Sequence, residues 1–168
     1  EIKFKNFTAL LLIVILCFWS GRISAQCWTS DLSEDEQIAV ARETFETELL
    51  AESIEAANCY LDEFPVGKSR EEMLYLKAES FRISGKLNDA VKGYDELMIS
   101  YPTSNEYLEK VMFYKGLIQA RIKRFTDSMN SLKIFLHKFP NSDYSDEAYY
   151  WLGYSTYYHA EMLRIKSS

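Results

Sequence analysis

The stretch GKLNDAVKGYDELMISYP, residues 85–102, decides how the rest of the chain is read. It opens on a Gly-containing turn, carries apolar residues at helical spacing and closes on an aromatic–Pro pair. Weaker copies flank it: LLAESIEAANCYLDEFP at residues 49–65 and KRFTDSMNSLKIFLHKFP at 123–140. The chain's three prolines, Pro65, Pro102 and Pro140, each follow an aromatic (Phe64, Tyr101, Phe139), at separations of 37 and 38 residues. Fixed periods in this range mark stacked repeats.

Other positions keep the same period. Twelve residues before each proline stand Ser53, Ala90 and Ser128, all small; eleven before stand Ile54, Val91 and Met129, all apolar. Four before are Leu61, Met98 and Leu136, and fifteen before are Leu50, Leu87 and Phe125. Positions 15, 11, 8 and 4 before the proline share one face of a helix with about 3.6 residues per turn. The segment ahead of each such helix repeats too, with Ala41, Ala78, Gly116 and Gly153 spaced by 37, 38 and 37 residues. Glycine inside a helix costs about 1 kcal/mol relative to alanine, so its return at one slot implies close helix packing. Ser33-x-x-Glu36 and Ser69-x-x-Glu72 read as capping boxes that start helices.

The expected fold class is therefore all-α, a solenoid of stacked antiparallel helix pairs over residues 34–168, each pair burying its apolar face on its neighbours. Helix pairs are expected at about 34–63, 70–100 and 106–138, with a final helix at about 144–165. No alternating strand pattern competes.

The first residues stand apart. Lys3 and Lys5 precede FTALLLIVILCFW at residues 7–19, and SGRISAQ follows. A basic start, a short apolar core and a small-residue exit describe a cleaved signal peptide, residues 1–25, with the cut after Ala25. A membrane-spanning helix needs about 20 apolar residues, and Arg22 interrupts any extension. Neither Cys17 after Leu16 nor Cys27 after Gln26 has the small preceding residue of a lipid-attachment site. The protein is thus expected to be exported to the periplasm, with outer-membrane association as a further possibility.

Taking Lys3, Lys5, Arg22 and Glu1 from the 19 basic and 25 acidic side chains leaves 16 and 24, a formal charge of −8. That balance argues against a nucleic-acid surface, whose footprint is a basic face. Cys27 and Cys59 remain in the exported chain. In an oxidising compartment they could pair. Cys27 lies in a lead-in, residues 26–33, expected to be mobile, so a disulfide and two unpaired thiols both stay open.

The pattern resembles the tetratricopeptide repeat. Gly85, Ala90, Tyr94 and Pro102 occupy that family's slots for the turn, the small residue, the aromatic and the closing proline, with Leu87 in a further aromatic slot. Leu152-Gly153 supplies the first-helix pair, and Tyr149 stands where Trp is usual. Lys123, Phe125, Ser128 and Leu132 make a weaker copy. FPNSDYSDEAYYWLGYSTYY, residues 139–158, is similar to exported members of the family, the type of the Tol–Pal-associated cell-division coordinator and of the lipoprotein subunit of outer-membrane β-barrel assembly.

The resemblance implies a concave groove lined by the first helix of each pair. Carried over by register, its contacts are Ile38, Arg42 and Phe45; Tyr75, Glu79 and Arg82; Phe113, Leu117 and Arg121; then Tyr150, Tyr154, Tyr157 and Tyr158. Aromatic and Arg residues together have the composition of a binding hot spot. A carboxylate-clamping groove is not matched, since only Lys110 fits its slots.

Catalytic signatures are missing. His137 and His159 lie in no H-x-x-x-H or H-E-x-x-H context, and the sequence has no C-x-x-C or G-x-S-x-G. Glu71-Glu72 and Asp146-Glu147 fall at helix starts, where acidic side chains favour the helix dipole. No metal, cofactor or small-molecule substrate is expected. The reading is a non-catalytic scaffold of the bacterial cell envelope that binds a partner protein or peptide and meets membrane only through that partner. Two alternatives are an outer-membrane assembly component and the helical anchor of a longer envelope enzyme. Tyrosines crowd the last helix, and AEMLRIKSS ends where a fourth second helix would begin, which points to a partial product. A lone capping helix is the other reading, and it should show a polar outer face.

Overall fold

Two kinds of turn, each repeated three times, generate the architecture. A computed structural model describes residues 27–104 and 106–166; the expected signal peptide, 1–25, lies outside them. Among the described residues the elements are α1 (Glu34–Glu46), α2 (Leu50–Glu63), α3 (Arg70–Ile83), α4 (Leu87–Ser100), α5 (Leu108–Arg121), α6 (Phe125–Lys138) and α7 (Ser145–Lys166), with no strand. Each helix packs on the next, giving three antiparallel pairs and a last helix against α6.

Within a pair, the chain reverses through one left-handed residue: Glu48 (φ 59°), Gly85 (φ 77°) and Lys123 (φ 63°). After it, the N–H groups of Leu49, Lys86 and Arg124 donate to Thr44 O, Phe81 O and Gln119 O at 2.8, 2.9 and 2.8 Å. These bonds satisfy carbonyls that a helix end leaves open. Between pairs the aromatic–Pro dipeptide makes a β-turn. Gly67, Ser104 and Ser142 donate to Phe64 O, Tyr101 O and Phe139 O at 3.0, 3.2 and 3.2 Å. Proline suits the second position of such a turn because its ring presets φ, and it holds the preceding aromatic extended.

The two capping boxes part company. At α1, Glu36 Oε2 accepts from Ser33 N–H at 2.9 Å and from Ser33 Oγ at 2.7 Å, as expected. At α3 the Ser69 box does not form, because Arg42 of α1 draws Glu72 away in a two-point ion pair of 2.5 and 2.7 Å. Ser69 N–H instead donates to Tyr60 Oη at 2.9 Å.

The core runs continuously through the stack. Tyr60, Tyr94, Phe113 and Phe135 are fully buried, each at 1% exposure or less. Burying a side chain of this kind is worth about 1.5–3 kcal/mol. At the small slot, a Cβ on Gly116 would lie 2.6 Å from a Leu132 side-chain carbon of α6, so any larger residue would have to displace Leu132. At two of the pair junctions the small residues of the second helix carry hydroxyls. Ser53 Oγ meets Ser80 Oγ at 3.1 Å, and Ser128 Oγ meets Ser155 Oγ at 3.0 Å.

The lead-in is held rather than mobile. Residues 28–32 fold into turns, and Trp28 and Leu32 pack on the core. Gln37 Nε2 of α1 donates to Thr29 O at 2.9 Å and to Glu63 Oε2 at 2.7 Å, with Thr29 buried. Cys27 and Cys59 form a disulfide with Cα atoms 5.4 Å apart, within the usual span for such a bond. No helix among the described residues is long and apolar enough to cross a membrane.

Candidate partner-binding face

First helices lie closer to one another than second helices do. Backbones of α1 and α3, and of α5 and α7, approach within 8 Å, whereas those of α3 and α5 do not, nor do those of any two second helices. The first-helix side is therefore the inner, concave side of the stack, and its side chains converge.

At its centre stands Glu79 of α3, only 2% exposed. Its carboxylate accepts from Tyr94 Oη of α4 and from Arg82, at 3.1 Å from Nε and 2.8 Å from a terminal nitrogen. Lys110 Nζ of α5 comes within 3.9 Å of the same carboxylate and donates to Tyr75 Oη at 2.5 Å. Burial, and then the neighbouring Glu79 charge, raises the Tyr94 phenol far above its ordinary value, so it stays a donor. Donating these bonds to Glu79 raises the Arg82 guanidinium in turn.

Aromatic rings frame these charges. Arg82 lies over the Tyr114 ring, 4.4 Å from its centroid, a contact worth about 0.5–2 kcal/mol. Tyr107 stacks on Tyr75 at 4.3 Å, and one repeat later Tyr144 stacks on Phe113 at 4.7 Å. Each lid residue stands just ahead of the next first helix and covers the ring below it. Burial also raises the Tyr75 and Tyr107 phenols, which remain protonated at neutral pH.

These lids sort the residues that register assigned to the groove. Tyr75 and Phe113 are buried beneath them, and Ile38, Glu79 and Leu117 are buried as well. Ile38, Phe113 and Leu117 thus belong to the core rather than to an open contact surface. Arg42 is exposed but already paired with Glu72. Arg82 and Phe45 are partly exposed, and Arg121 is exposed.

On α7 the rings form a run. Tyr150 meets Trp151 edge-on at 5.4 Å, Trp151 meets Tyr154 at 5.3 Å, and Tyr154 meets Tyr158 at 4.4 Å. Tyr158 also stacks on Phe125 of α6 at 5.8 Å, while Tyr157 stands outward at 61% exposure. The charge cluster and the aromatic run are two stations on the first-helix series. Sequence register missed Tyr94, Tyr107, Tyr114 and Tyr144; the 37-residue separation of Tyr107 and Tyr144 was the signal that could have found the lids.

Among the described residues no group of three or more His, Cys, Asp or Glu side chains is placed to hold a metal ion. The cluster's groups are locked to one another by hydrogen bonds, which suits a fixed recognition surface.

The fold is a helix-pair solenoid with a concave side. A family model described as tetratricopeptide repeat matches residues 110–142, from within α5 to just past Pro140. That match, with the all-helical repeat, supports a tetratricopeptide-repeat protein. A search of the curated proteins finds no match.

Proposed function

We propose that this protein is a non-catalytic scaffold of the bacterial cell envelope that holds a partner protein, or an extended segment of one, along its concave side. Tetratricopeptide repeats generally bind proteins or peptides, and that supports the coarser part of this reading. One observation supports the choice of this face: buried Glu79 fixes Arg82, and Lys110 stands within 3.9 Å of the same carboxylate beside Tyr75. Side chains already immobilised lose little further freedom on binding. Arg82 and Lys110, both partly exposed, offer donors to a segment with a carboxylate at that point, flanked by apolar residues that meet the tyrosines of α7. The signal-peptide pattern at residues 1–25 supports the envelope setting.

The test is affinity capture from envelope extracts with the parent protein and a Lys110→Gln, Arg121→Ala, Tyr150→Ala variant. Lys110 is partly exposed and Arg121 and Tyr150 are exposed, so helical content by circular dichroism should be unchanged. The expected result is a discrete envelope protein, confirmed with purified components, whose affinity falls at least tenfold in the variant. Equal binding by both proteins would remove the concave face from the function.

A further inference from the structure

Three oxygens converge on one buried amide where the lead-in, α1 and the end of α2 come together. Gln37 of α1 is 0% exposed, and its Nε2 lies 2.9 Å from Thr29 O, 3.5 Å from Leu32 O and 2.7 Å from Glu63 Oε2. The other end of the same amide, Oε1, is buried and accepts no hydrogen bond. An amide nitrogen carries two hydrogens. It therefore faces more oxygens than it has protons, while the oxygen beside it goes unused.

The surroundings suit a cation better than an amide. Asp62 and Glu63 fall in the last turn of α2, which holds no basic residue. A carboxylate there opposes the helix dipole, whose negative end favours cations. Ser100 and Lys138 close α4 and α6, so an acid ends only the first of the three second helices. Residues 27–63 carry eleven Asp and Glu side chains against Arg42 alone, and Arg42 is committed to Glu72. A field of one sign raises the local concentration of counter-ions.

We propose that Thr29 O, Leu32 O, Glu63 and Gln37 form a divalent-cation site, suited to Ca2+, that fastens the lead-in to the first pair. The last torsion of a Gln side chain is broad and two-fold, and half a turn about it exchanges nitrogen and oxygen. Oε1 then joins two backbone carbonyls and a carboxylate, and it has no hydrogen bond to lose in moving. The donor set is one carboxylate with three neutral oxygens. Ca2+ accepts about six to eight oxygens in flexible geometry, backbone and amide carbonyls among them, whereas Mg2+ demands a near-ideal octahedron. Glu63 is exposed, which leaves water free to complete the sphere. Ligation at about 2.3–2.6 Å draws the turn at residues 29–32 closer to α2. The site does not rest on what the concave face binds.

The test is calorimetric titration of the disulfide-bonded, chelator-treated protein with calcium chloride and, separately, magnesium chloride. One calcium per chain is expected, with a Kd of about 0.1–1 mM, the range of extracellular modules. Magnesium should bind at least tenfold more weakly, and calcium should slow amide exchange in residues 28–32. Glu63→Gln should weaken calcium binding at least tenfold and keep its helical circular dichroism, because Glu63 is exposed. Gln37→Glu sets a second carboxylate beside Glu63. Its melting temperature should fall in chelator, and calcium should restore it while binding at least tenfold more tightly. The Glu63→Gln titration decides the matter whether or not Gln37→Glu folds. A parent protein without saturable calcium binding would overturn the proposal. So would equal affinity in Glu63→Gln, an outcome that gives the calcium to the diffuse acidic surface of the first pair. Equal affinity for magnesium would overturn the choice of ion.

Discussion

Ser53 of α2 and Ser80 of α3 share a hydrogen bond of 3.1 Å between their hydroxyl oxygens, and neither side chain is exposed to solvent. Two repeats on, Ser128 and Ser155 do the same at 3.0 Å, and Ser128 also donates to Gly116 O at 2.8 Å. At the junction between them the corresponding residues are Ala90 and Ile118, both buried. One geometry is thus solved twice with paired hydroxyls and once with apolar groups.

A double-mutant cycle should expose that equivalence. Ser53→Ala or Ser80→Ala alone leaves one buried hydroxyl without its partner, at a cost of about 1–3 kcal/mol. The double Ala variant should recover most of that loss, as the Ala90 junction implies. Chemical denaturation of all four proteins measures the coupling. Additive losses would mean the hydroxyls are satisfied elsewhere.

Acid sensitivity should trace to Glu34 and Glu36. Glu34 Oε1 accepts from Tyr60 Oη at 2.7 Å and from Lys68 N–H at 2.9 Å, and the Tyr60 bond leads in holding its carboxyl below the ordinary 4.5. Bonds from Ser33 lower Glu36 in the same way. A folded-state value below the unfolded one stabilises the fold above the unfolded value and is lost as pH falls through the folded one. Denaturation midpoints should therefore drop as pH falls through 4.5 and below. Glu34→Gln should flatten that acid limb and leave its shape above pH 6, about, unaltered.

Gly85 tests the turn within each pair. Its φ of 77° disfavours any side chain, yet a Cβ there would meet nothing within 4 Å. Gly85→Ala should therefore cost only the backbone term, about 1–2 kcal/mol. For a chain of this size that lowers the melting temperature by about 2–8 °C. The reverse change, Lys123→Gly, should be close to neutral or stabilising, because Lys123 already sits at φ 63°. Differential scanning calorimetry distinguishes the two.

Breaking the Cys27–Cys59 bond should loosen one end of the stack. The bond closes a sequence separation of 32 residues, for which chain entropy implies about 3–4 kcal/mol. Cys27→Ser with Cys59→Ser should lower the denaturation midpoint accordingly. Amide exchange should rise first in residues 28–32 and α1. Uniform exchange across all helices would show that the lead-in does not act as an end cap.

The helix-pair architecture was legible because proline, aromatic and small residues recur every 37 or 38 positions, and each has a narrow structural use. The left-handed turn at residues 48, 85 and 123 keeps the same period but was hidden, since its occupants are Glu, Gly and Lys. A backbone conformation that several residue types can adopt leaves a weak trace in the side-chain pattern. The Ser69 box failed for a related reason: its Glu72 had a stronger partner 30 residues away in Arg42.

The groove separates the two levels most clearly. Register alone placed Ile38, Tyr75, Phe113 and Tyr150 at one equivalent position and treated them alike. Packing made Phe113 core under Tyr144, held Tyr75 beneath Tyr107 beside a charged cluster, and left Tyr150 63% exposed. Local periodicity determines where helices run and which faces are apolar, because those follow from spacing along one strand of chain. What covers each face depends on residues a full repeat away, and only the tertiary structure decides that.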